Sequence, residues 1–456
     1  MKFFKIFIGL AFSLSSYVSL AAFEIPHYEK YTLANGLTVY LMKQSEVPLV
    51  DVQLVVRAGA INDGKRYGLA NITGDALIFG AGKYSKNDLE EKFDFVGANF
   101  RSSTNKETSS LSLSFAAKDQ NALMPIFADI VTQPHFAAND FTKYKKRYLA
   151  NLEQQRESPR SIIGDAFNRN YYAMHPYGNP VGGNLRSVKG IELAQIKQFH
   201  ENYYTPDNSA LIVVGDIDSK QWKSKIETLF SKWQGKAKKQ ALPTFTQTAK
   251  PSQVLLLNKA DATETTFMIG GKGVAATNEN TVALSVINTI LGGRFTSWLN
   301  DALRVNSGLT YGARSRFNSY SSHGNFYIST FTKNATTFEA IDLALKTYQR
   351  LWDKGIDAKT LSSAKAYVKG QFPPRYETST QLMYLLARMW SLGLNDSYIN
   401  NFEKNVDALN VTTANKLAQH YFPHDNLQFV LIGKADELRE KAKKYGKVKE
   451  QNIIEF

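Results

Sequence analysis

The segment that decides the fold begins at Val52 and reads VQLVVRAGAINDGKRYGLANITGDALIFGAGKYSKNDLEEKFDFVGANFRSSTNKETSSLSLSF. Apolar and polar residues alternate at its start, which is typical of a β-strand with one buried face. The spacing then predicts a helix over 68–79 and a second helix over 85–97, which begins with a capping pattern and ends at a glycine. Two further strands are predicted at 100–105 and 109–117. Strand pairs mixed with helices indicate an α+β fold with a largely antiparallel sheet.

Composition excludes several classes of protein. The chain has 456 residues, of which 43% are hydrophobic and 21% charged, an ordinary globular balance that predicts about two to four domains. It has no cysteine, which excludes disulfides, thiolate zinc sites and iron–sulfur clusters. The net charge is +14, but the basic residues are scattered and not interleaved with aromatic residues. We therefore expect no nucleic-acid partner and interpret the charge as favouring solubility or anionic surfaces and peptides.

The N-terminus has the pattern of a secretory signal peptide. Lys2 and Lys5 precede an apolar run over 6–14, and Ser19-Leu20-Ala21 has the small-x-small pattern of a cleavage site. We expect residues 1–22 to be removed and the mature chain to lie in the periplasm of a Gram-negative cell. No later run is apolar for long enough to span a bilayer, so no membrane span is expected after cleavage. An uncleaved N-terminal anchor is the alternative.

The chain divides into two similar halves. Residues 234–251 lack long apolar periodicity, carry two prolines and are predicted to be the linker. The sequence YTPDNSALIVVGDID from Tyr204 is echoed by YFPHDNLQFVLIGKAD from Tyr421, near the end of each half. A duplication explains this echo better than chance. We therefore predict an N-terminal domain at 23–240 and a C-terminal domain at 250–456.

Searches for motifs with known chemistry give little. There is no G-x-S-x-G and no G-x-G-x-x-G sequence. Among the seven histidines only His420 and His424 have i,i+4 spacing, and Pro423 between them interrupts a helix. Residue chemistry alone thus indicates no convincing metal site.

Four segments together resemble a known family. They are the segment from Val52, HPYGNPVGG from His175, YYTPDNSALIVVGDID from Tyr203, and LGGRFTSWLNDALRVNSGLTYGARS from Leu291. They are similar to the insulinase-like metallopeptidases, which include pitrilysin and the mitochondrial processing peptidase. The resemblance covers nearly the whole mature chain. It implies two homologous α+β units, each a mainly antiparallel β-sheet flanked by helices, which form half of a clamshell.

The resemblance also implies where the zinc site of this family would lie. Its motif is H-x-x-E-H, in which two histidines bind zinc, the glutamate activates water, and a later glutamate is the third ligand. The matching positions here are Asn71, Gly74 and Asp75, and the third ligand falls at Asn151. Nearby Glu153 would point away from that side of a helix. Amide and carboxylate oxygens are poor substitutes for imidazole on zinc, and glycine cannot activate water. We predict no metal and no cofactor in this chain.

The C-terminal half keeps a second family feature. Active members carry an Arg and a Tyr, seven residues apart, that reach the substrate carbonyl group. The match here is Arg304 and Tyr311, within LRVNSGLTYG. A guanidinium and a phenol can stabilise an oxygen that gains negative charge. The alternative is a structural role, in which Arg304 pairs with an acid and Tyr311 packs in the sheet.

A chain without the zinc motif but with the Arg–Tyr pair resembles the non-catalytic subunit of bacterial heterodimeric members. The expected partner is a homologous peptidase subunit that has an intact H-x-x-E-H motif and holds the zinc. The expected substrate is an unstructured peptide, hydrolysed in a shared site. Two alternatives remain: a peptide-binding or scaffold protein without proteolytic function, and a self-sufficient zinc peptidase with an unrecognised site.

Overall fold

The computed structural model describes residues 23–239, 241, 243–245 and 251–455. The predicted signal peptide, and residues 240, 242 and 246–250 of the predicted linker, lie outside the described residues. The predicted boundaries of the two domains therefore remain predictions.

The strands of the described residues form two six-stranded sheets. The first has the order β1-β2-β6-β3-β5-β4 and the second the order β12-β7-β11-β8-β10-β9. The strands are β1 Glu29–Thr32, β2 Thr38–Lys43, β3 Leu49–Val56, β4 Asn99–Thr104, β5 Ser109–Ala116, β6 Ser209–Gly215, β7 Gln253–Asn258, β8 Glu264–Lys272, β9 Arg314–Ser319, β10 Gly324–Lys333, β11 Gln428–Gly433 and β12 Lys447–Asn452.

Both sheets are mainly antiparallel, as the sequence predicted, but each also contains parallel pairing. Strands β3, β5, β4 and β6 pair antiparallel, but β2 pairs with β6 in parallel, with Thr38 opposite Ala210. In the second sheet β7 pairs in parallel with both β11 and β12. The parallel pairs β2–β6 and β7–β11 form because β6 and β11 each return to their sheet after a long run of helices. Such a crossover can end in either direction, unlike a short hairpin.

Helices cover the sheets and connect their strands. They are α1 Leu69–Ala76, α2 Lys86–Phe95, α3 Gln120–Thr132, α4 Ala138–Arg156, α5 Pro159–Tyr172, α6 Leu185–Lys189, α7 Leu193–Tyr203, α8 Ser219–Phe230, α9 Thr281–Asn288, α10 Trp298–Asn300, α11 Thr337–Asp353, α12 Ala358–Gly370, α13 Ser379–Leu392, α14 Ser397–Asn400, α15 Phe402–Ala408, α16 Val411–Tyr421 and α17 Ala435–Ala442. Two π-helical segments, Thr289–Gly293 and Asp301–Asn306, follow α9 and α10. No helix within the described ranges has both the length and the apolar composition to cross a membrane.

The two halves repeat the same topology. Strands β6 and β11, which carry the sequence echo, occupy the third position of their sheets and follow the helices α7 and α16. Five strands of each sheet correspond in order. The outermost strand differs, because β1 comes from the start of the first half and β12 from the end of the second. The α+β fold with two homologous units is thus confirmed.

Each half also contributes one helix to the other half's sheet. Helix α5 packs Ile163 and Phe167 against Met268 and Val430 of the second sheet. Helix α13 packs its apolar face, including Leu386, on the first sheet. The opposite face of each sheet is buried against helices of its own half. This exchange of helices brings residues of the first half next to the second sheet.

Candidate functional site

Helix α1 carries the positions that match the family's zinc motif, and a buried aspartate sets its start. Asp63 is only 4% exposed, and its carboxylate accepts hydrogen bonds from the backbone N–H groups of Gly68 and Ala70, each at 2.8 Å. Burial raises the pKa of Asp63 to about 8, although these bonds and nearby Lys106 oppose the rise. The capping carboxylate orients the helix so that one of its faces meets α4.

On that face a hydrogen-bonded group of side chains replaces the expected metal ligands. Asn71 Nδ2 donates to Asp75 Oδ2 at 3.4 Å and to the Tyr148 hydroxyl at 3.2 Å. The Tyr144 hydroxyl donates to Asp75 Oδ2 at 2.5 Å, and the Tyr148 hydroxyl donates to the Gly182 carbonyl at 2.9 Å. We call Asn71, Asp75, Tyr144 and Tyr148 the tyrosine–aspartate network.

The electrostatics of this network keep both phenols protonated. Burial raises the pKa of Asp75, while the hydrogen bond from Tyr144 opposes the rise. Burial, with the neighbouring Asp75 carboxylate, raises the pKa of Tyr144 far above its usual value and that of Tyr148 to about 12. Both hydroxyls therefore remain donors, and they satisfy neighbouring oxygens without a cation.

Packing also fills the position of the family's catalytic glutamate. A Cβ built on Gly74 would lie 2.8 Å from Ser102 Oγ of the edge strand β4, closer than real Cβ atoms come. The next atoms, Thr104 Oγ1 and the Tyr204 hydroxyl, would lie at ordinary contact distances of 3.5 and 3.6 Å. These three side-chain hydroxyl groups thus occupy the space that a glutamate side chain would need.

The residue at the position of the third ligand, Asn151, forms no hydrogen bond with the described side chains of the network. Asn151 is exposed on α4, one turn beyond Tyr148, and Glu153 is exposed as well. Within the described ranges, no group of three or more His, Asp or Glu side chains is arranged to hold a metal ion. One carboxylate, one amide and two phenols do not provide the imidazole-rich tetrahedral set that zinc requires. The residues present do not fit the family's metal.

Arg304 and Tyr311 lie in the second half, and both side chains are exposed. Arg304 belongs to the π-helical segment Asp301–Asn306, and Tyr311 lies in the loop before β9 rather than at the start of the strand. Tyr311 is 83% exposed, and the Arg304 guanidinium lies 4.7 Å from the ring centroid of Phe295. Arg304 forms no ion pair with a described residue. Neither side chain has the structural role that was the alternative.

The two side chains line one cleft of about 1170 Å³ between the halves. Helix α5 of the first half contributes Arg160 and Ile163, and the second sheet contributes Met268 and Tyr327. None of the four vacated positions lines this cleft. The structure therefore brings Arg304 and Tyr311 together but separates them from Asn71, Gly74, Asp75 and Asn151.

Sequence reasoning missed the residues that fill the vacated site. Tyr144 and Tyr148 are spaced i,i+4 on α4, and their rings stack with centroids 5.5 Å apart. That spacing places both side chains on one face of a helix and was a usable signal. The position of Ser102 opposite Gly74 had no such signal, because β4 and α1 meet only in the folded chain.

Comparisons with known proteins identify the family. The description "Insulinase (Peptidase family M16)" matches residues 38–184, and "Peptidase M16 inactive domain" matches residues 190–368. The chain therefore belongs to the insulinase family of peptidases, family M16, as its sequence motifs predicted.

This chain aligns with similar proteins over nearly their whole length. "Uncharacterized zinc protease YmxG" of Bacillus subtilis strain 168 is 24% identical over 400 residues, which are 87% of this chain and 96% of that protein. "Non-peptidase homolog YmxG" of Helicobacter pylori is 22% identical over 415 residues, 88% of this chain and 94% of that protein. A crystal structure of a peptidase M16 inactive domain from Pseudomonas fluorescens superposes with a TM-score of 0.84 at 23% identity, covering 90% of this chain and 98% of that one. This last likeness shows the shared fold.

Proposed function

We propose that this protein is the non-catalytic subunit of an exported heterodimeric zinc peptidase. Its partner is a homologous subunit with an intact H-x-x-E-H motif that holds the zinc. This chain supplies Arg304 and Tyr311 to a shared site that hydrolyses unstructured peptides. The similarity to an H. pylori protein named a non-peptidase homolog supports the absence of activity in this chain alone.

The difference between the vacated zinc positions and the cleft that holds Arg304 and Tyr311 supports the proposal. The zinc positions are occupied by the tyrosine–aspartate network, in which each polar group already has a partner. Arg304 and Tyr311 instead project into an open cleft. An exposed guanidinium and phenol can donate hydrogen bonds to a substrate carbonyl oxygen as it becomes an oxyanion. They lack a water-activating group of their own, so the chemistry requires a second chain.

Reconstitution with a zinc-bearing partner tests the proposal. We expect this chain alone to hold no stoichiometric zinc and to show no peptidase activity. In the complex, Tyr311→Phe removes only the hydroxyl and should lower kcat on the order of 10²-fold. Arg304→Lys keeps the charge but loses the planar guanidinium, and should also lower kcat. Elemental analysis and steady-state kinetics are the measurements.

The controls separate catalysis from assembly. Both variants should keep the affinity for the partner subunit and the melting temperature, because both side chains are exposed. Full peptidase activity of both variants in the complex would show that the Arg–Tyr assignment is wrong. One tightly bound zinc per isolated chain would favour the self-sufficient peptidase instead.

A peptide-binding or scaffold function is the second candidate. The open cleft favours it equally, because a cleft can bind an extended peptide without cutting it. It would become the better interpretation if a competent partner gave no hydrolysis while this chain still bound peptides.

Export to the periplasm is part of the proposal and has its own test. The signal pattern of residues 1–22 supports it. N-terminal sequencing of the protein from the periplasmic fraction should give a chain that starts near Ala22 or Phe23. A cytoplasmic protein that begins at Met1 would contradict export.

A further inference from the structure

The cleft that holds Arg304 and Tyr311 is strongly positive. Of the described residues that line it, none is Asp or Glu, and six are arginines: Arg160, Arg294, Arg304, Arg314, Arg316 and Arg375. Like charges in one cleft repel each other, and its low-dielectric walls focus their field. A bound anion would relieve that repulsion.

Most of these arginines lack an acidic partner. Arg160 donates to both carboxylate oxygens of Glu264, at 2.7 and 2.9 Å. Arg294 donates to Ser363 Oγ at 3.0 Å. The remaining four are Arg304, Arg314, Arg316 and Arg375. All four are exposed, and none forms an ion pair with a side chain in the described ranges. Their guanidinium groups remain free to bind carboxylates or other oxyanions.

Two of the free arginines share one face of an edge strand. Arg314 and Arg316 on β9 are exposed, whereas Ser315 between them is buried. Side chains two residues apart in a strand point to the same side of the sheet. Strand β9 pairs with β10 on one side, and on its other side the Ser315 carbonyl accepts a hydrogen bond from Asn288 Nδ2 at 3.0 Å. The two guanidinium groups, two residues apart on one face, match the side-chain spacing of an extended peptide.

The same face of the sheet continues into the cleft. Arg316 lies opposite Tyr327 of β10, and Arg314 lies opposite Ser329, and both of these neighbours also line the cleft. Helix α5 covers the sheet further along, where it packs on β8 and β11. The floor of the cleft is therefore this face of β9 and β10, and residues of α5 and the loop that carries Tyr311 also line the cleft.

We propose that this cleft binds an extended peptide with acidic side chains at alternate positions. Its carboxylates meet Arg314 and Arg316, which line the cleft from one face of β9. This inference names acidic peptides as the class of substrate. It rests on the proposed function only where it concerns hydrolysis. Peptide binding itself needs only this chain.

The other half shows that the fold does not require this charge. Strand β4 is the corresponding edge strand of the first sheet. Its exposed positions are Asn99, Arg101 and Ser103, with a single cation that is hydrogen-bonded to Asn99 Oδ1 at 2.8 Å. The same architecture thus carries one arginine on β4 and two free ones on β9. Arg101 provides a control at an equivalent place.

Binding of labelled peptides to the isolated chain tests the inference by fluorescence anisotropy. The probes are Glu–Thr repeats, with Gln–Thr and Lys–Thr repeats of equal length as controls. We expect the Glu peptide to bind tightest and the Lys peptide not to bind. The double variant Arg314→Gln/Arg316→Gln should weaken Glu-peptide binding about tenfold or more while leaving the melting temperature unchanged. Arg101→Gln should change it by less than about twofold.

Two results would overturn the inference. One is equal affinity for the Glu and Gln peptides. The other is an equal loss of affinity in Arg101→Gln, which would mean that only the net charge of the chain matters. Single-stranded oligothymidine or anionic vesicles that bind through Arg314 and Arg316 as tightly as the Glu peptide would also refute a peptide site.

The peptidase assay separates this inference from the proposed function. A complex that cleaves Glu and Gln peptides equally well would leave the shared-site proposal intact and refute the acidic preference. A chain that binds Glu peptides selectively, but gives no hydrolysis with a zinc-bearing partner, would support the acidic preference and refute the shared-site proposal.

Discussion

At the scale of single residues, the loss of a metal site is a matter of packing as well as of ligand identity. Asn71 and Asp75 remove imidazole ligands, but the space beside them is also filled. Tyr144 donates a hydrogen bond to Asp75, Tyr148 accepts one from Asn71, and Ser102 lies against Gly74. Restoring the family's residues at the four vacated positions would therefore place their side chains in space that is already occupied. Ligand identity and closure of the pocket reinforce each other.

A double-mutant cycle between Gly74 and Ser102 measures this closure. Gly74→Ala gains up to about 1 kcal/mol of helix propensity, but the crowding against Ser102 Oγ costs about 1–3 kcal/mol. We expect a net loss of about 1 kcal/mol in the free energy of unfolding. In a Ser102→Ala background the clashing atom is absent, and the same change should be neutral or stabilising.

Urea denaturation of the four proteins gives the coupling energy, about 1 kcal/mol or more. Ser103 supplies the matched control, because it is the exposed neighbour of Ser102 on β4. Gly74→Ala and Ser103→Ala should be additive. Additivity with Ser102→Ala as well would show that α1 and β4 do not crowd each other at this point.

At the scale of secondary-structure elements, corresponding parts of the two halves have diverged in use. Helix α1 and strand β4 pack closely and leave a closed, hydrogen-bonded site in the first half. In the second half two π-helical segments follow α9 and α10 and lead to Arg304 and the Tyr311 loop. Such segments are often found at functional sites. The two similar halves thus differ at this place, and the second presents an exposed arginine and tyrosine.

At the scale of the whole molecule, the exchange of helices joins the halves. Helix α5 buries Phe167 against the second sheet, and α13 buries Leu386 against the first. Part of the predicted linker is packed too, since the ring centroid of Phe245 lies 5.0 Å from that of Tyr172. An isolated half would expose an apolar sheet face and an apolar helix. The two halves are thus homologous units that share their cores.

Limited proteolysis tests this sharing. We expect the first cut within residues 234–251, which gives two fragments on a denaturing gel. The nicked protein should still elute as one species on gel filtration, because both exchanged helices remain buried. Denaturant should be needed to separate the fragments. Fragments that part under native conditions would contradict the helix exchange, and a preferred cut deep inside either half would contradict the predicted linker.

The sequence by itself determined much of the fold, the vacated zinc positions and the Arg304–Tyr311 pair. Strand and helix periods located β3, α1, α2, β4 and β5, and the echo at Tyr204 and Tyr421 located the repeated strands β6 and β11. The resemblance to the insulinase-like family located the motif positions Asn71, Gly74 and Asp75, and the pair Arg304 and Tyr311. These features are local, because a hydrophobic period or a motif depends on neighbours within a few turns of chain.

Only the tertiary structure decided which surfaces meet. An apolar stripe on α5 predicts a buried face but does not say which sheet covers it, and the answer is the sheet of the other half. Likewise, Arg160, Arg314 and Arg375 converge on one cleft although they are distant in sequence. Ser102 closes over Gly74 through a contact between a strand and a helix. The physical reason is that burial of apolar surface is non-directional, so local periodicity specifies that a face is buried while long-range packing selects its partner.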